Sequence, residues 1–230
     1  MARFQNHTVA IGIVLSTWAS LNVEAQNNGE WRDSLKVASD RLSFYPDSID
    51  LRLRKAAYNL RLSQWQYALE EYDYILARDK YNPSALFHRA YVNEKLARYN
   101  FARIDYERLL SVVPGHFEGQ LGLALLNQRD KRFTDALDQA NRLVSQYPDS
   151  AVAYAARAGI EMEQGMAGLA VFDYEEALRR DAGNTEYALD YIEALIENRD
   201  FIAARKKIEA LRSMGVPQVS LRPLLEKLKR

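Results

Sequence analysis

Small, aromatic and apolar residues recur along this chain in one register. Ala68, Ala102, Ala136, Ala170 and Ala204 lie 34 residues apart with no slip. A second column at the same spacing holds Ala56, Ala90, Ala124 and Ala158, completed by Ile192. A third holds rings: Trp31, Trp65, Tyr99, Phe133 and Phe201, with Ala167 as its exception. Tyr72, Tyr106 and Tyr174 form a fourth, interrupted by Ala140 and Ile208. Pro46, Pro114 and Pro148 share one more, and Tyr45-Pro46-Asp47-Ser48 returns as Tyr147-Pro148-Asp149-Ser150. Independent residue classes on one period are the signature of a stacked repeat.

Each period reads as two helices of about 12–14 residues, roughly 20 Å long, too short to bury an apolar face alone. Alanine at a helix crossing lets two axes approach, and a larger side chain forces them apart. Turn chemistry sets the boundaries. Asp47-Ser48, Asn82-Pro83 and Asn184-Thr185 are helix starts, the second with proline at the first helical position. The pattern predicts an all-α, right-handed α-solenoid of about five 34-residue helix-turn-helix repeats. A leading half-repeat over 31–48 precedes repeats starting near 49, 83, 117, 151 and 185. A polar capping helix over 220–229 closes the stack. No linker interrupts 26–230, which is expected as one domain.

Residues 1–25 read differently. Arg3 stands in a short n-region, and Val9 to Leu15 opens an apolar stretch continuing through Trp18 and Leu21. Val23-Glu24-Ala25 then offers a peptidase junction before Gln26. This is the pattern of a cleavable secretory signal, with an apolar core short for a membrane span. The expected location is therefore periplasmic or secreted, with no membrane insertion after signal removal; retention of the segment as an anchor stays open.

The columns together resemble the tetratricopeptide repeat family, of an exported bacterial type, across nearly the whole chain after residue 25. The family's first-helix small residue falls on Ala56, Ala90, Ala124 and Ala158, and its second-helix small residue on the Ala68-to-Ala204 column. Its rings fall on Trp65, Tyr99, Phe133 and Phe201 and on Tyr72, Tyr106 and Tyr174, and its closing proline on Pro114 and Pro148. Two departures stand out. Asn59, Asn93 and Asn127 replace the family's late first-helix tyrosine, and the opening tryptophan is absent.

Composition narrows the chemistry. Lysine plus arginine equals aspartate plus glutamate at 31 each. A neutral chain lacks the basic footprint of a nucleic-acid binder. Cysteine is absent, which excludes disulfides, thiolate metal sites and cysteine nucleophiles. Two histidines lie beyond the signal, His88 in a first-type helix and His116 in a loop, neither with a second metal ligand at useful spacing. Acidic pairs such as Glu70-Glu71 and Glu175-Glu176 read as solvated helix faces. No catalytic group, metal or cofactor is expected, and the chain reads as a non-enzyme.

What remains is a binding surface. The resemblance implies that first helices line a concave groove that meets a protein or peptide partner. Aligned repeats put Arg61, Lys95, Arg129, Glu163 and Glu197 in one column, basic early and acidic late. Arg54, His88 and Tyr91 stand beside its basic end, and Asp190 and Glu193 beside its acidic end. Positive charge with an aromatic suits an acidic or carboxylate-ended peptide; solubilising charge is the plain alternative. Leu53 and Ala57 occupy the positions where the family's carboxylate-clamp members carry lysine and asparagine, so that binding mode is not implied. The expected function is an interaction scaffold of the cell envelope or secreted space. The alternative is a glycan- or peptidoglycan-associated module, with Tyr91 and Phe87 as its exposed rings.

Overall fold

The structure, a computed structural model, describes residues 28–229. The expected signal over 1–25 lies outside the described residues. Twelve helices and no strand occur among them. Helix α1 spans Asn28–Phe44. Five pairs follow: α2 Ile49–Arg61 with α3 Trp65–Arg78, α4 Pro83–Lys95 with α5 Tyr99–Val112, and α6 Phe117–Arg129 with α7 Phe133–Gln146. Then come α8 Ala151–Glu163 with α9 Ala167–Arg180, α10 Thr185–Glu197 with α11 Phe201–Ser213, and finally α12 Gln218–Lys227. Each first helix begins on the 34-residue register. The last helix starts two residues before Ser220, because Pro217 fixes the entry dihedral and serves as its N-cap.

The caps are physical. Ser48, Asn82, Ser150 and Asn184 each accept the backbone N–H three residues on, from Leu51, Ala85, Ala153 and Tyr187. Each satisfies one donor that the first turn leaves without a partner.

The described residues fall into two compact units that divide between Leu126 and Asn127. In the unit ending at Leu126, the core gathers Ala56, Ala68, Ala90 and Ala102 with Tyr72, Ile75, Leu86 and Leu109. In the unit starting at Asn127, Ala158, Ala170, Tyr174 and Ala177 form one cluster, and Ile192, Ala204, Ile208 and Leu221 another. All nine alanines of the two columns are fully buried, as is Ile192, so each sits where a helix pair closes. The ring column is less uniform. Trp65 and Tyr99 pack partly buried on the first core, whereas Phe201 is 46% exposed.

Two further columns at the same period emerge only in three dimensions. Ser63, Ala97, Lys131, Gly165 and Arg199 all adopt positive φ, between 55° and 72°. They sit between the two helices of each pair. The N–H of the following residue returns to a first-helix carbonyl: Gln64 to Asn59, Arg98 to Asn93, Arg132 to Asn127, Met166 to Glu161 and Asp200 to Leu195, at 2.7–2.9 Å. This closure of a helix end through a left-handed residue fixes the hairpin angle.

The second column is ionic. Lys55 meets Glu71 at 2.6 Å, Arg89 meets Asp105, and Arg157 meets Asp173, each pair 16 residues apart within one helix hairpin. Glu71 is thus buried and ion-paired to Arg52 and Lys55, and Glu176 is buried against Arg179 and Arg180. The reading of these acidic pairs as wholly solvated holds only for Glu70 and Glu175, which are exposed. Consecutive carboxylates on a helix point about 100° apart, so one member of each pair turns inward.

Candidate partner-binding site

The sequence column of cations begins at helix ends. Arg61 is the last residue of α2 and Lys95 the last of α4. Cations there are favoured by the helix dipole, so their sign alone needs no ligand. Their surroundings are more specific. The Arg61 guanidinium lies 5.6 Å from the ring centre of Trp31, which itself packs 6.0 Å from Tyr58. The Lys95 ammonium lies 5.2 Å from the ring of Tyr91, which stands edge-on to Trp65 at 6.2 Å. Burial pushes the Tyr91 hydroxyl above its ordinary range, Glu94 adds to this, and the positive charge of Arg61 opposes it. Arg61, Tyr91 and Lys95 therefore come together in the unit ending at Leu126. Neither cation has an ion-pair partner among the described residues.

The other named residues behave differently. Arg54 pairs with Asp50 along its own helix at 3.0 Å, with both side chains mostly exposed. Such a pair is worth only a few tenths of a kcal/mol, about 0.3–0.5. His88 is half-buried and belongs to a ring cluster. It stacks on Tyr72 at 5.8 Å and meets the edge of Phe87 at 5.1 Å. Its Nδ1 lies 2.8 Å from the carbonyl oxygen of Ser84. Burial holds the imidazole below its ordinary pKa, against that backbone contact, with His116 adding repulsion. His116 lies on the far edge of the same Phe87, at 5.1 Å between ring centres. Arg129 closes α6 beyond the division between the units and is exposed.

Tyr91 and Phe87, expected as exposed platforms, are both partly buried. Phe87 is drawn into the cluster with Tyr106, His88 and His116. The open rings are instead Tyr67 and Phe101, on the second helices α3 and α5. Periodicity could not separate them, because an exposed ring and a core ring both recur at helical spacing.

The residues that the sequence passed over are the polar ones between helices. Asn59, Asn93 and Asn127 are buried, and Glu161 continues their column. Asn93 donates to Asp105, and Asn127 to the Oε1 of Gln139. A repeat of 34 residues in Lys55, Arg89 and Arg157, with Leu123 between the last two, carried the signal for the ionic column.

No family model matches the sequence, and no curated protein matches it. Solved structures do. PilW, a widely conserved type IV pilus biogenesis factor, superposes with a TM-score of 0.76 at 14% identity, over 94% of this chain and 97% of its own. A tetratricopeptide repeat protein from Parabacteroides merdae gives 0.62 at 18%, over 94% and 90% of the two chains. YrrB, a tetratricopeptide protein with an unusual peptide-binding site, gives 0.65 at 14%, over 81% and 96%. The chain has the tetratricopeptide-repeat fold.

Proposed function

We propose that this tetratricopeptide-fold chain is a non-enzymatic interaction scaffold, exported by its N-terminal segment. It holds an acidic or carboxylate-ended segment of a partner protein on the first-helix face at Arg61, Tyr91 and Lys95. The observation that carries the reading is the pair of cations at equivalent positions of successive repeats, without carboxylate partners and set against rings. An aromatic-flanked guanidinium and ammonium make charge-assisted hydrogen bonds to carboxylate oxygens. The peptide-binding site of YrrB and the pilus-biogenesis role of PilW support an interaction role for the fold. Both histidines are engaged within the protein, His88 at the Ser84 carbonyl and His116 as acceptor of the Gly119 N–H, which favours a scaffold over a catalyst.

The test is fluorescence anisotropy with a labelled Asp/Glu-rich peptide carrying a free C-terminus, against wild type and an Arg61→Glu, Lys95→Glu variant. Saturable binding that weakens at least tenfold in the correctly melting variant supports the site. Equal binding to both removes it. Crosslinking and affinity capture from the native envelope, with N-terminal sequencing of the captured chain, tests the partner and the cleavage after Ala25 together. Co-sedimentation with purified cell-wall polymer in place of protein capture would favour the glycan-associated alternative.

A further inference from the structure

The unit starting at Asn127 carries the opposite chemistry on the same register. Glu186, Asp190, Glu193 and Glu197 occupy one face of α10, and Glu163 ends α8. Glu163 and Glu197 stand at helix C-termini, where the dipole disfavours carboxylates, so helix stability does not explain the sign.

Two of the carboxylates here lack partners. Glu161 on α8 is only 6% exposed, and its Oε2 has no hydrogen-bond partner. The Oδ2 of half-buried Asp190 is likewise buried and unpartnered. Both act on one tyrosine. Burial raises the Tyr174 hydroxyl well above its ordinary range, and the charges of Asp190, Glu193, Glu161 and Glu186 raise it further. Space lies beside that hydroxyl. A Cβ built on Gly159 would meet nothing nearer than the Tyr174 Oη, at 3.8 Å. In the preceding unit the same repeat position is filled by Tyr91.

The neighbouring cations are already engaged. Arg157 is held by both oxygens of Asp173 and by Asn141, and Lys227 by Glu193, with Glu197 at 3.8 Å. A buried carboxylate without a counter-charge is costly, and a cation brought to it offsets that cost.

We propose that Glu161, Tyr174 and Asp190, with the open space at Gly159, receive a single lysine or arginine side chain from a partner polypeptide. The site is distinct from the cationic face around Arg61 and does not depend on it. The rise of Glu161 and Asp190 to about 7, each caused first by burial, agrees with two carboxylates short of a cation. For Glu161 the charge of Asp173 adds to the rise and Arg157 opposes it, and for Asp190 Glu186 and Glu193 add to it.

The experiment titrates the full chain, carboxyl-labelled with carbon-13, with two probes: n-butylammonium and the peptide acetyl-Gly-Lys-Gly-amide. The peptide is expected to give saturable shifts at Glu161 and Asp190. A Glu161→Gln, Asp190→Asn variant is expected to bind it at least tenfold more weakly while still melting cooperatively. Gly159→Leu, which fills the space with both carboxylates intact, is expected to block it as well. Shifts that fail to saturate, or that spread equally to exposed Glu70 and Glu175, overturn the proposal. So does unchanged affinity in both variants. Butylammonium binding as tightly as the peptide overturns the polypeptide source. The Arg61→Glu, Lys95→Glu variant is expected to bind the lysine peptide as wild type does, so failure of the cationic face and failure of this site are read separately.

Discussion

Arg157 grips Asp173 with two hydrogen bonds, Nε to Oδ2 at 2.5 Å and Nη2 to Oδ1 at 2.7 Å, and reaches back through Nη1 to Asn141 at 3.0 Å. Arg89 repeats this arrangement with Asp105, at 2.8 and 2.6 Å, and with Asp73 at 2.7 Å. One guanidinium thus ties its own hairpin together and fastens it to the preceding second helix. Asp105 and Asp173 are buried. Removing the arginine strands a buried carboxylate, which costs about 3–5 kcal/mol, whereas replacing both partners by apolar residues is nearly neutral. Arg157→Ala is expected to lower stability in urea by roughly that amount. Arg157→Met with Asp173→Leu should recover most of it. A double variant as unstable as the single one would show that the arginine acts through packing, not charge.

The third repeat shows why this column was hard to read. Its members are Leu123 and Gln139, and the fifth repeat substitutes Tyr191 and Lys207, whose ammonium lies 5.4 Å from the ring. Alanine at a helix crossing has no substitute of equal size, so its column is unbroken and visible in sequence. An inter-helix tie has several chemical solutions, so its column changes residue type and hides among surface charges. The same logic governs the candidate site. Arg61 and Lys95 were legible by register, but their setting against Trp31 and Tyr91 depended on neighbouring helices. Glu161 was illegible, because nothing in its sequence neighbourhood separates a buried glutamate from a solvated one.

The positive-φ column gives a second test. A left-handed conformation costs a residue with a side chain about 1–2 kcal/mol. Glycine avoids that strain but gives up more freedom on folding, worth about 0.5–1 kcal/mol. Gly165 already uses this solution, while Lys131 and Arg199 hold φ of 57° and 62°. Lys131→Gly and Arg199→Gly are each expected to raise stability by about 0.5 kcal/mol. Gly165→Ala should lower it by a similar amount. A loss of stability in either lysine or arginine replacement, measured by urea unfolding, would show that the side chain at that turn contributes more than the strain removes.

Two helical glycines are expected to diverge. A Cβ on Gly122 would stand 2.6 Å from Cζ of Tyr106 and 2.9 Å from its hydroxyl oxygen. That ring is buried, and its hydroxyl donates to Glu94 at 2.5 Å, so it has little room to yield. Gly122→Ala should overpack the crossing and cost about 1–3 kcal/mol. Gly159→Ala meets only the ordinary contact at 3.8 Å, and gains helix propensity of up to about 1 kcal/mol. Parallel thermal melts check this. A Gly122→Ala chain as stable as wild type would place Tyr106 elsewhere.

Acidity separates the buried carboxyl at Glu161 from its structural neighbours. Its folded pKa is raised to about 7 from the ordinary 4.5, first by burial and then by Asp173, with Arg157 opposing. In the unfolded chain the ordinary value returns. Between the two values the folded state binds a proton that the unfolded state has released, so stability falls as pH rises through this window. Below it the group contributes no penalty, and above about pH 7 the penalty is complete, on the order of 3 kcal/mol at 1.36 kcal/mol per unit. Glu161→Gln keeps the shape and removes the charge. It is expected to leave stability unchanged at pH 4 and to raise it by about 2–3 kcal/mol at pH 8. Urea unfolding at the two pH values measures the difference. A gain equal at both would mean that the carboxyl does not change charge in this window. A loss at pH 8 would mean that the ionised carboxylate is paired in solution, with a cation the fold itself supplies.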